Sequence, residues 1–335
     1  MTRRKQDART KGADDVILAV DMGGSKFIAG LVNGGGKILA AEKHLWSESR
    51  GQEKGGLDAG VLVADVKAAV HALLAAHGAY KPVCMGATIP GLADPEKGLW
   101  VEASFSGIRN LPFAAVMESE FGLPVKVDND VRACALAEKR FGCCKDASDF
   151  LWITVSNGIG GCVFLDGKPY RGASGNAGEI GHVIVEEGSA ARPCRAGHSG
   201  CAEMHASGPA LAKNYLESGG AQSIAGKSPC AKSIAALARA GDGAAIAAYE
   251  AEGRYLGRAI GAAVNLLGVE KVVLGGGVSL DFDLFRASLE KTLAGHVYRA
   301  ANPRVSVEAS PLGYYAALLG AAALSSAVGP DQSAG

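Results

Sequence analysis

The chain has 335 residues, of which 48% are hydrophobic and 20% are charged, a composition that excludes long disorder. The 34 basic and 34 acidic residues leave a net charge of zero, which argues against a surface for nucleic acid or for an anionic membrane. This length predicts about two domains, with a core large enough to need no disulfide bonds. The 47 glycines show no Gly-X-Y period and therefore indicate many tight turns.

Both ends of the sequence favour a cytoplasmic protein. Residues 1–14 form a polar tail that we expect to be disordered, and no apolar signal-peptide core follows its charged residues. The eight cysteines are therefore expected to remain reduced thiols. The uncharged stretch Ala309–Pro330 is rich in Ala, Gly and Ser, so its weak hydrophobicity favours a buried terminal helix over a membrane anchor.

A strand–turn–strand pattern occurs twice in the chain. The first copy has three apolar runs separated by turns that contain Gly, at Val16–Val20, Phe27–Val32 and Lys37–Ala41. The second copy has the same layout, at Phe150–Val155, Gly161–Leu165 and Lys168–Tyr170. Two copies of one supersecondary unit predict two similar lobes.

Helical and strand-like patterns alternate around these two copies. Helices are predicted at Leu57–His77, Arg132–Phe141, Pro209–Glu217 and Ala244–Leu267, and strands at Val83–Thr88, Val125–Val127 and Val272–Leu274. This alternation predicts α/β lobes. We expect an N-terminal lobe of residues 15–134 plus 312–328, which includes the C-terminal helix, and a C-terminal lobe of residues 135–311.

The first turn of each copy combines glycine with polar side chains. The first reads DMGGSK at residues 21–26 and the second reads SNGIGG at residues 156–161. Glycine N–H groups can close on a phosphate, and Asp21 can hold a hydrated Mg²⁺. A plain hairpin turn has the same composition and is the alternative for each turn. If both turns bind phosphate, they could share a triphosphate across a cleft.

Two further segments are candidates for a role in phosphoryl transfer. Asp130 follows a predicted strand and precedes a predicted helix, so its carboxylate is either a helix cap or a general base for a substrate hydroxyl. The triplet Gly275–Gly277 follows the strand at Val272–Leu274, but a chain with this much glycine contains such a triplet by chance.

A group of His and Cys residues suggests a metal site. The segment AGEIGH at residues 177–182 is followed by Cys194, Cys201 and Glu203. One His and two Cys can bind zinc, but a structural zinc site requires four ligands. Packing of these residues in the core of a cytosolic protein is the alternative.

These segments occur in the order found in the ROK sugar kinases, and the chain resembles that family from Val16 to Ala323. The most specific part is Ala177–His182 together with Cys194–Glu203. The resemblance implies an α/β fold with two actin-like/ribonuclease-H-like ATPase lobes and an active-site cleft between them. It also implies a glucokinase-like enzyme that phosphorylates a hexose or N-acetylhexosamine with ATP and Mg²⁺, and we expect a homodimer that binds neither nucleic acid nor membrane.

The resemblance assigns a role to each matched residue. Asp130 would be the catalytic base, and the sugar would be bound by Gly91, Asn129, Asp130, Glu179, His182 and Glu203. The phosphate loops and the adenosine side of the nucleotide site would be formed by Asp21, Gly23, Gly24, Ser25, Asn157, Gly158, Gly160, Gly276 and Gly277.

The zinc motif departs from the family pattern. The family has Cys-X-Cys-Gly-X-X-Gly-Cys, and this chain has Ala196 where the second Cys is expected. The resemblance therefore leaves three zinc ligands, His182, Cys194 and Cys201. His198 is a candidate for the fourth, but it lies two residues beyond the lost cysteine, and its side chain is as easily expected to point away. Loss of zinc would loosen the loop that presents the sugar-binding residues.

The sugar is not determined by the resemblance. Family glucokinases commonly have Asn and Trp in the segment matched by Ser104 and Ile108, and an Asn where this chain has Arg132. Glucose is therefore the first expectation, and N-acetylmannosamine, N-acetylglucosamine and fructose are the alternatives.

The family also contains transcriptional repressors. Those carry a helix-turn-helix module of some tens of residues before the first phosphate hairpin, whereas about 15 residues precede Val16 here. This spacing predicts an enzyme rather than a regulator. A sugar-binding protein without activity is the other alternative, because the zinc motif is altered.

Overall fold

The computed structural model describes residues 14–46, 58–103 and 106–326, so most of the predicted tail and Ser104 lie outside the described residues. The strands are β1 (Val16–Met22), β2 (Lys26–Asn33), β3 (Ile38–Leu45), β4 (Pro82–Ile89), β5 (Leu92–Asp94), β6 (Leu99–Glu102), β7 (Arg109–Leu111), β8 (Val125–Asn129), β9 (Phe150–Val155), β10 (Ile159–Leu165), β11 (Lys168–Tyr170), β12 (Lys271–Gly275) and β13 (Ser306–Ala309).

The helices are α1 (Ala59–Ala76), α2 (Phe113–Phe121), α3 (Asp130–Arg140), α4 (Ala202–Ala206), α5 (Gly208–Glu217), α6 (Ala231–Arg239), α7 (Gly243–Leu267), α8 (Phe282–His296) and α9 (Ala316–Ser326). Short 3₁₀ turns lie at Ile180–His182, Gly188–Ala190, Val278–Asp281 and Gly313–Tyr315.

The chain divides into two compact units. Unit 1 consists of the residues up to Gly142 and from Tyr315 onward, and unit 2 consists of Cys143–Tyr314. The division falls after helix α3, whereas the expected boundary at residue 134 lies inside that helix. Helix α3 stays whole in unit 1 because it packs along the C-terminal helix α9.

Both units contain a five-stranded sheet with the same topology. The strand order is β3-β2-β1-β4-β8 in unit 1 and β11-β10-β9-β12-β13 in unit 2. In each sheet the first three strands form an antiparallel meander, and the last two strands join it in parallel. The repeat predicted from the sequence is therefore confirmed, as is the α/β class.

The central strand of each sheet is buried on both faces. The four residues Ile17–Val20 of β1 are fully enclosed, and Phe150–Ile153 of β9 are nearly so. Strands covered by helices on both sides have uninterrupted apolar sequences of this kind. Each unit has its own hydrophobic core, one around β1 and β4, the other around β9 and helix α7.

The C-terminal helix α9 is buried, as its sequence predicted. Leu318 and Ala321 are enclosed against the sheet of unit 1. A side chain on Gly86 of β4 would clash with the carbonyl oxygen of Ala321, so small residues on both elements permit this close packing. The Ala-rich composition that lowers the hydrophobicity of this segment is thus a packing requirement.

Helix α1 is the one described helix that is long and apolar enough to cross a membrane by length and composition. A core helix of a globular unit passes the same test. In this structure Leu62, Val66, Val70 and Leu73 of α1 are buried in the core of unit 1.

The sequence patterns did not predict α2, α4, α6, α8, β5–β7 and β13. Strands of three or four residues show too little alternation to be recognised, and α2 and α6 have only nine residues each. Helix α8 is different, because its buried residues Phe282, Phe285, Leu289 and Leu293 have the spacing of an amphipathic helix. The same periodicity rule predicts it.

Candidate functional site

In unit 1 the turn between β1 and β2 is closed by two hydrogen bonds. The N–H of Gly23 donates to the carbonyl oxygen of Lys26 at 2.9 Å, and the indole of Trp46 donates to the carbonyl oxygen of Gly23, also at 2.9 Å. Gly24 and Ser25 form an exposed tip. The two hydrogen bonds fix the backbone of the turn at Gly23, and the tip at Gly24 and Ser25 is exposed to solvent.

Asp21 lies near the end of β1, directly beside Thr88 of the parallel strand β4. The Thr88 hydroxyl donates to Asp21 Oδ1 at 2.7 Å. Burial raises the pKa of Asp21, and the Thr88 hydrogen bond and the charge of Lys26 oppose that rise. This carboxylate has a fixed direction and lies at the base of the Gly turn.

Asp130 is the first residue of helix α3, immediately after β8. The preceding Asn129 caps the helix, since its Oδ1 accepts a hydrogen bond from the N–H of Val131 at 2.9 Å. The same N–H also donates to Asp130 Oδ1 at 3.0 Å. Asn129 is therefore the N-cap residue of α3, and the Asp130 carboxylate shares the N–H of Val131 with it.

Burial is the main cause that raises the pKa of Asp130 to about 6, and the negative charge of Asp21 adds to it. The backbone hydrogen bonds at the helix N-terminus and the positive charge of Arg132 act in the opposite direction. A carboxylate with a pKa near the working pH is suited to general-base catalysis. The structure brings Asp21 and Asp130 together although Asp21 lies on β1 and Asp130 begins α3.

Gly91 lies beside Asn129, the residue that precedes Asp130. The side-chain amide of Asn129 donates to the carbonyl oxygen of Gly91 at 2.8 Å. Gly91 has φ of +91°, and a side chain there would clash with the carbonyl oxygen of Glu102. The indole of Trp100 supports the same loop by donating to the carbonyl oxygen of Pro90 at 3.0 Å.

The sequence patterns did not predict a buried ion pair between Asp128 and Arg132, which lie two residues before and two residues after Asp130. Arg132 Nε donates to Asp128 Oδ1 at 2.9 Å, and both side chains are largely buried. Asp128 also accepts a hydrogen bond from the N–H of Asn129 at 2.8 Å. The spacing of four residues between Asp128 and Arg132 is the signal that could have identified the pair.

In unit 2 the second Gly turn is connected to Glu203. The N–H of Ile159 donates to Glu203 Oε2 at 3.0 Å, and a side chain on Gly158 would lie 2.6 Å from the same oxygen. The N–H of Ser156 closes the turn on the carbonyl oxygen of Gly158 at 2.9 Å, and Asn157 is exposed. Glu203 therefore supports the turn that contains Asn157, Gly158 and Gly160. The sequence patterns did not predict this contact, because Glu203 is distant from the turn in the chain.

The Gly triplet lies next to the same turn. Gly276 has φ of +89°, and a side chain there would clash with the carbonyl oxygen of Val155 at the end of β9. Gly277 begins the 3₁₀ turn that follows β12. A cavity of about 410 Å³ in unit 2 is lined by Ser156, Asn157, Gly208, Pro209, Ala212, Pro229, Cys230, Ala231, Lys232, Gly277 and Val278. Two of the segments expected to bind nucleotide thus line one cavity.

Glu179 precedes the 3₁₀ turn that follows strand β11, and His182 is the last residue of that turn. Glu179 is exposed, and its Oε2 lies 4.0 Å from His182 Nε2. The glycines of this motif allow the chain to lie flat on β10, because a side chain on Gly178 would clash with the carbonyl oxygen of Gly161, and one on Gly181 with that of Ile159. The motif residues are therefore held beside the second Gly turn.

His182, Cys194 and Cys201, the three expected metal ligands, lie together in unit 2. Their donor atoms and one donor atom of His198 all lie within 4.8 Å of one another. The ring of His198 lies edge-on to that of His182, with 5.6 Å between ring centroids. Two thiols and two imidazoles form a donor set that suits zinc. The side chain of His198 points into the group and not away from it.

The chain is similar in sequence and in structure to known proteins. The sequence model of the ROK family matches residues 17–328. A glucokinase from Halalkalibacterium halodurans is 31% identical over 305 residues, which are 88% of this chain and 88% of that enzyme. The crystal structure of a ROK family glucokinase from Streptomyces griseus, in complex with glucose and AMPPNP, has a TM-score of 0.74 and 29% identity, and the match covers 92% of this chain and 98% of that chain.

A repressor is also among the relatives. An N-acetylglucosamine repressor from Escherichia coli O157:H7 is 30% identical over 239 residues, which are 70% of this chain. The same match covers 58% of the repressor, so the chain is matched to less than two thirds of that protein's length.

Proposed function

The chain belongs to the ROK family, and from that premise we propose that it is a kinase that transfers the γ-phosphoryl group of ATP to a hydroxyl group of a hexose. Its fold is that of the solved ROK kinases, the two-lobed actin-like ATPase fold. The observation that carries the proposal is Asp130, a carboxylate at a helix N-terminus with its pKa raised to about 6 and with Asp21 close enough to contribute to that rise.

Asp130 would act as the general base. It would accept the proton of the sugar hydroxyl while that oxygen attacks the γ-phosphorus of ATP. The bond from the γ-phosphorus to its bridging oxygen would break, and ADP would leave. Phosphoryl transfer needs little covalent chemistry from the protein, so positioning and charge neutralisation provide most of the rate.

The residues around Asp130 would bind the sugar and the phosphates in unit 1. Asn129 would hydrogen-bond the sugar beside the reacting hydroxyl, and the loop at Gly91 would lie against it. Gly23, Gly24 and Ser25 form the exposed tip that would donate to phosphate oxygens. Asp21 would hold hydrated Mg²⁺, which neutralises phosphate charge during transfer, and a carboxylate oxygen is the ligand type that Mg²⁺ prefers.

Unit 2 would bind the rest of both substrates. Glu179, His182 and Glu203 would hydrogen-bond sugar hydroxyls, and the turn that contains Asn157, Gly158 and Gly160 would donate to phosphate. The cavity of about 410 Å³ beside Gly277 would hold the nucleoside. Its volume is in the range of small-ligand pockets, and Gly276 and Gly277 would allow the adenosine to approach the backbone closely.

Glucose is the proposed sugar, because two glucokinases are among the proteins that match nearly the whole chain. N-acetylmannosamine, N-acetylglucosamine and fructose are the other candidates. Arg132, which takes the place of a usual Asn, is committed to its ion pair with Asp128, so it would not offer the sugar contact of that Asn.

The experiment is coupled ADP release with Mg-ATP and a panel of glucose, mannose, fructose, allose, N-acetylglucosamine and N-acetylmannosamine. One sugar with a kcat/KM well above the others supports the proposal and names the substrate. The matched control is Asp130→Asn, which should be inactive with that sugar. ADP release that does not depend on any sugar, or that survives in the control, would overturn the proposal.

A sugar-responsive regulator is the second candidate, because the repressor from Escherichia coli shares 30% identity with 70% of this chain. A regulator would bind a sugar without releasing ADP. Isothermal titration with the same panel therefore separates the two functions: binding with turnover indicates the kinase, and binding without turnover indicates the regulator.

A further inference from the structure

A loop in unit 2 brings four potential metal ligands to one point. His182 ends the 3₁₀ turn Ile180–His182, and Cys194, His198 and Cys201 follow in the loop before α4. Their four donor atoms all lie within 4.8 Å of one another, and Cys194 and Cys201 are buried. Among the described residues this is the group of His, Cys, Asp and Glu side chains arranged to hold a metal ion.

The backbone of the loop is shaped to point these side chains inward. The N–H of Cys194 donates to the carbonyl oxygen of His198 at 2.7 Å, so the chain folds back on itself over four residues. Gly197 and Gly200 provide the positive φ angles, +88° and +83°, that this reversal needs. Cys201 in turn pairs with Ile184 across a β-bridge, which places its thiol next to His182.

One imidazole nitrogen in the group has no protein partner. His198 Nε2 is enclosed and lacks a hydrogen bond within the described part of the chain. A buried polar atom without a partner is destabilising and rare in native structures. By contrast, the thiol of Cys194 has two polar neighbours, His182 Nδ1 at 3.6 Å and the N–H of Ala196 at 3.5 Å.

We propose that His198 is the fourth ligand of a zinc site made by His182, Cys194, His198 and Cys201, and that it replaces the cysteine absent at position 196. The altered motif would then have moved its fourth ligand by two residues instead of losing it. Ala196 is exposed, and its N–H donates toward the Cys194 sulfur, a contact that would help to orient this thiolate on the ion.

The distances and charges of the group suit this ion. Tetrahedral zinc with bonds of about 2.3 Å to sulfur and about 2.0 Å to nitrogen places its ligand atoms roughly 3.3–3.8 Å apart. The group spans at most 4.8 Å, so it would contract by about 1 Å on binding. Two thiolates balance the charge of Zn²⁺, so the centre would be neutral and its burial needs no counter-ion.

The site would tie together two segments that hold proposed sugar-binding residues. Glu179 lies three residues before His182, and Glu203 lies two residues after Cys201 and supports the second Gly turn through the N–H of Ile159. This consequence for sugar binding rests on the proposed function. The metal content does not, so failure of the zinc proposal and failure of the kinase proposal can be told apart.

The direct test is zinc analysis and X-ray absorption at the zinc edge on the full chain, purified with a reducing agent and supplied with zinc. The expected result is one tightly bound zinc per chain with a shell of two sulfur and two nitrogen ligands. Absence of tightly bound zinc, or a shell with a light-atom ligand that is not an imidazole, would overturn the proposal. Because the wild-type chain is used, the test does not depend on whether a variant folds.

Variants assign the fourth ligand. His198→Ala should lower zinc affinity at least about 100-fold in competition with a chromophoric chelator. The double variant Ala196→Cys/His198→Ala should restore tight binding, now with three sulfur ligands. His71→Ala, an exposed histidine of α1, is the matched control and should leave zinc affinity unchanged. Wild-type affinity in His198→Ala would remove His198 from the site.

Discussion

Replacing Asp130 by Asn should abolish turnover and, at the same time, make the protein more stable. Asn keeps the size of the side chain and an oxygen that can accept from the N–H of Val131, but it can neither take a proton nor carry a charge. A positioned general base is worth about 10²–10⁴ in rate, so kcat should fall at least about 100-fold. The KM for the sugar should stay within a few-fold, since the shape of the site is retained.

The gain in stability follows from the raised pKa. The ordinary value is 3.8 and the folded protein raises it to about 6, which corresponds to a cost of about 3 kcal/mol for ionised Asp130, since one pKa unit is worth about 1.4 kcal/mol. The Asn variant does not have this cost. About 3 kcal/mol in a unit of this size corresponds to an increase in Tm of roughly 6–12 °C at pH 8.

The sign of the pH dependence is set by which state ionises first. Below about pH 3 Asp130 is protonated in both folded and unfolded chains, and the wild type and the variant should be equally stable. As pH rises from about 4 to 6 the unfolded carboxyl ionises first, so the wild type loses stability relative to the variant. Above about pH 6 the full difference is present. The kcat of the wild type should fall as pH decreases through about 6.

Thermal unfolding followed by circular dichroism from pH 3 to 8 measures the stability difference, and coupled ADP release over the active part of that range measures kcat. Asp146→Asn, a change at another carboxylate outside the site, is the matched control and should alter neither. A variant with kcat within tenfold of the wild type would remove Asp130 from the role of base. A variant no more stable than the wild type at pH 8 would show that burial of this charge is not costly.

Three further substitutions probe the parts that hold Asp130 and the sugar. Arg132→Met should destabilise the protein by about 3–5 kcal/mol in urea unfolding, because it removes one partner of a buried ion pair. It should also move the acid limb of the kcat profile to higher pH, because the positive charge of Arg132 opposes the rise in the pKa of Asp130. A small change in both the free energy of unfolding and the pH of the acid limb would contradict the role given to the ion pair. Gly91→Ala should lower Tm through strain of about 1–3 kcal/mol at a φ of +91° and through the clash with Glu102. Glu203→Gln should raise the KM for the sugar more than it lowers kcat, and an unchanged KM would place Glu203 outside sugar binding.

The repeat of the fold could be predicted from sequence because it is a local property. A strand, a tight Gly turn and a second strand leave their pattern within about 20 residues, as at Val16–Val32 and again at Phe150–Leu165. The same holds for the buried central strands, whose apolar runs do not depend on which strand lies beside them. The order of the strands in each sheet is not local, and short elements such as β5–β7 leave no readable period.

The chemistry of the candidate site depends on distances that the sequence does not contain. Asp130 has its raised pKa because folding buries it and places Asp21 close to it, and these two residues are far apart in the chain. Glu203 lies at the second Gly turn only because α4 packs against β10.

His198 is the clearest example of what the sequence determines and what only the tertiary structure determines. Its residue type and its displacement by two positions are in the sequence, but the direction of its ring depends on a backbone reversal at Gly197 and Gly200 and on the strand pairing of Cys201. Residue types and local periodicity are properties of the chain, and they determined the fold class and the set of candidate groups. The direction, burial and charge environment of each group arise from contacts between distant segments, so only the tertiary structure decided which of them meet.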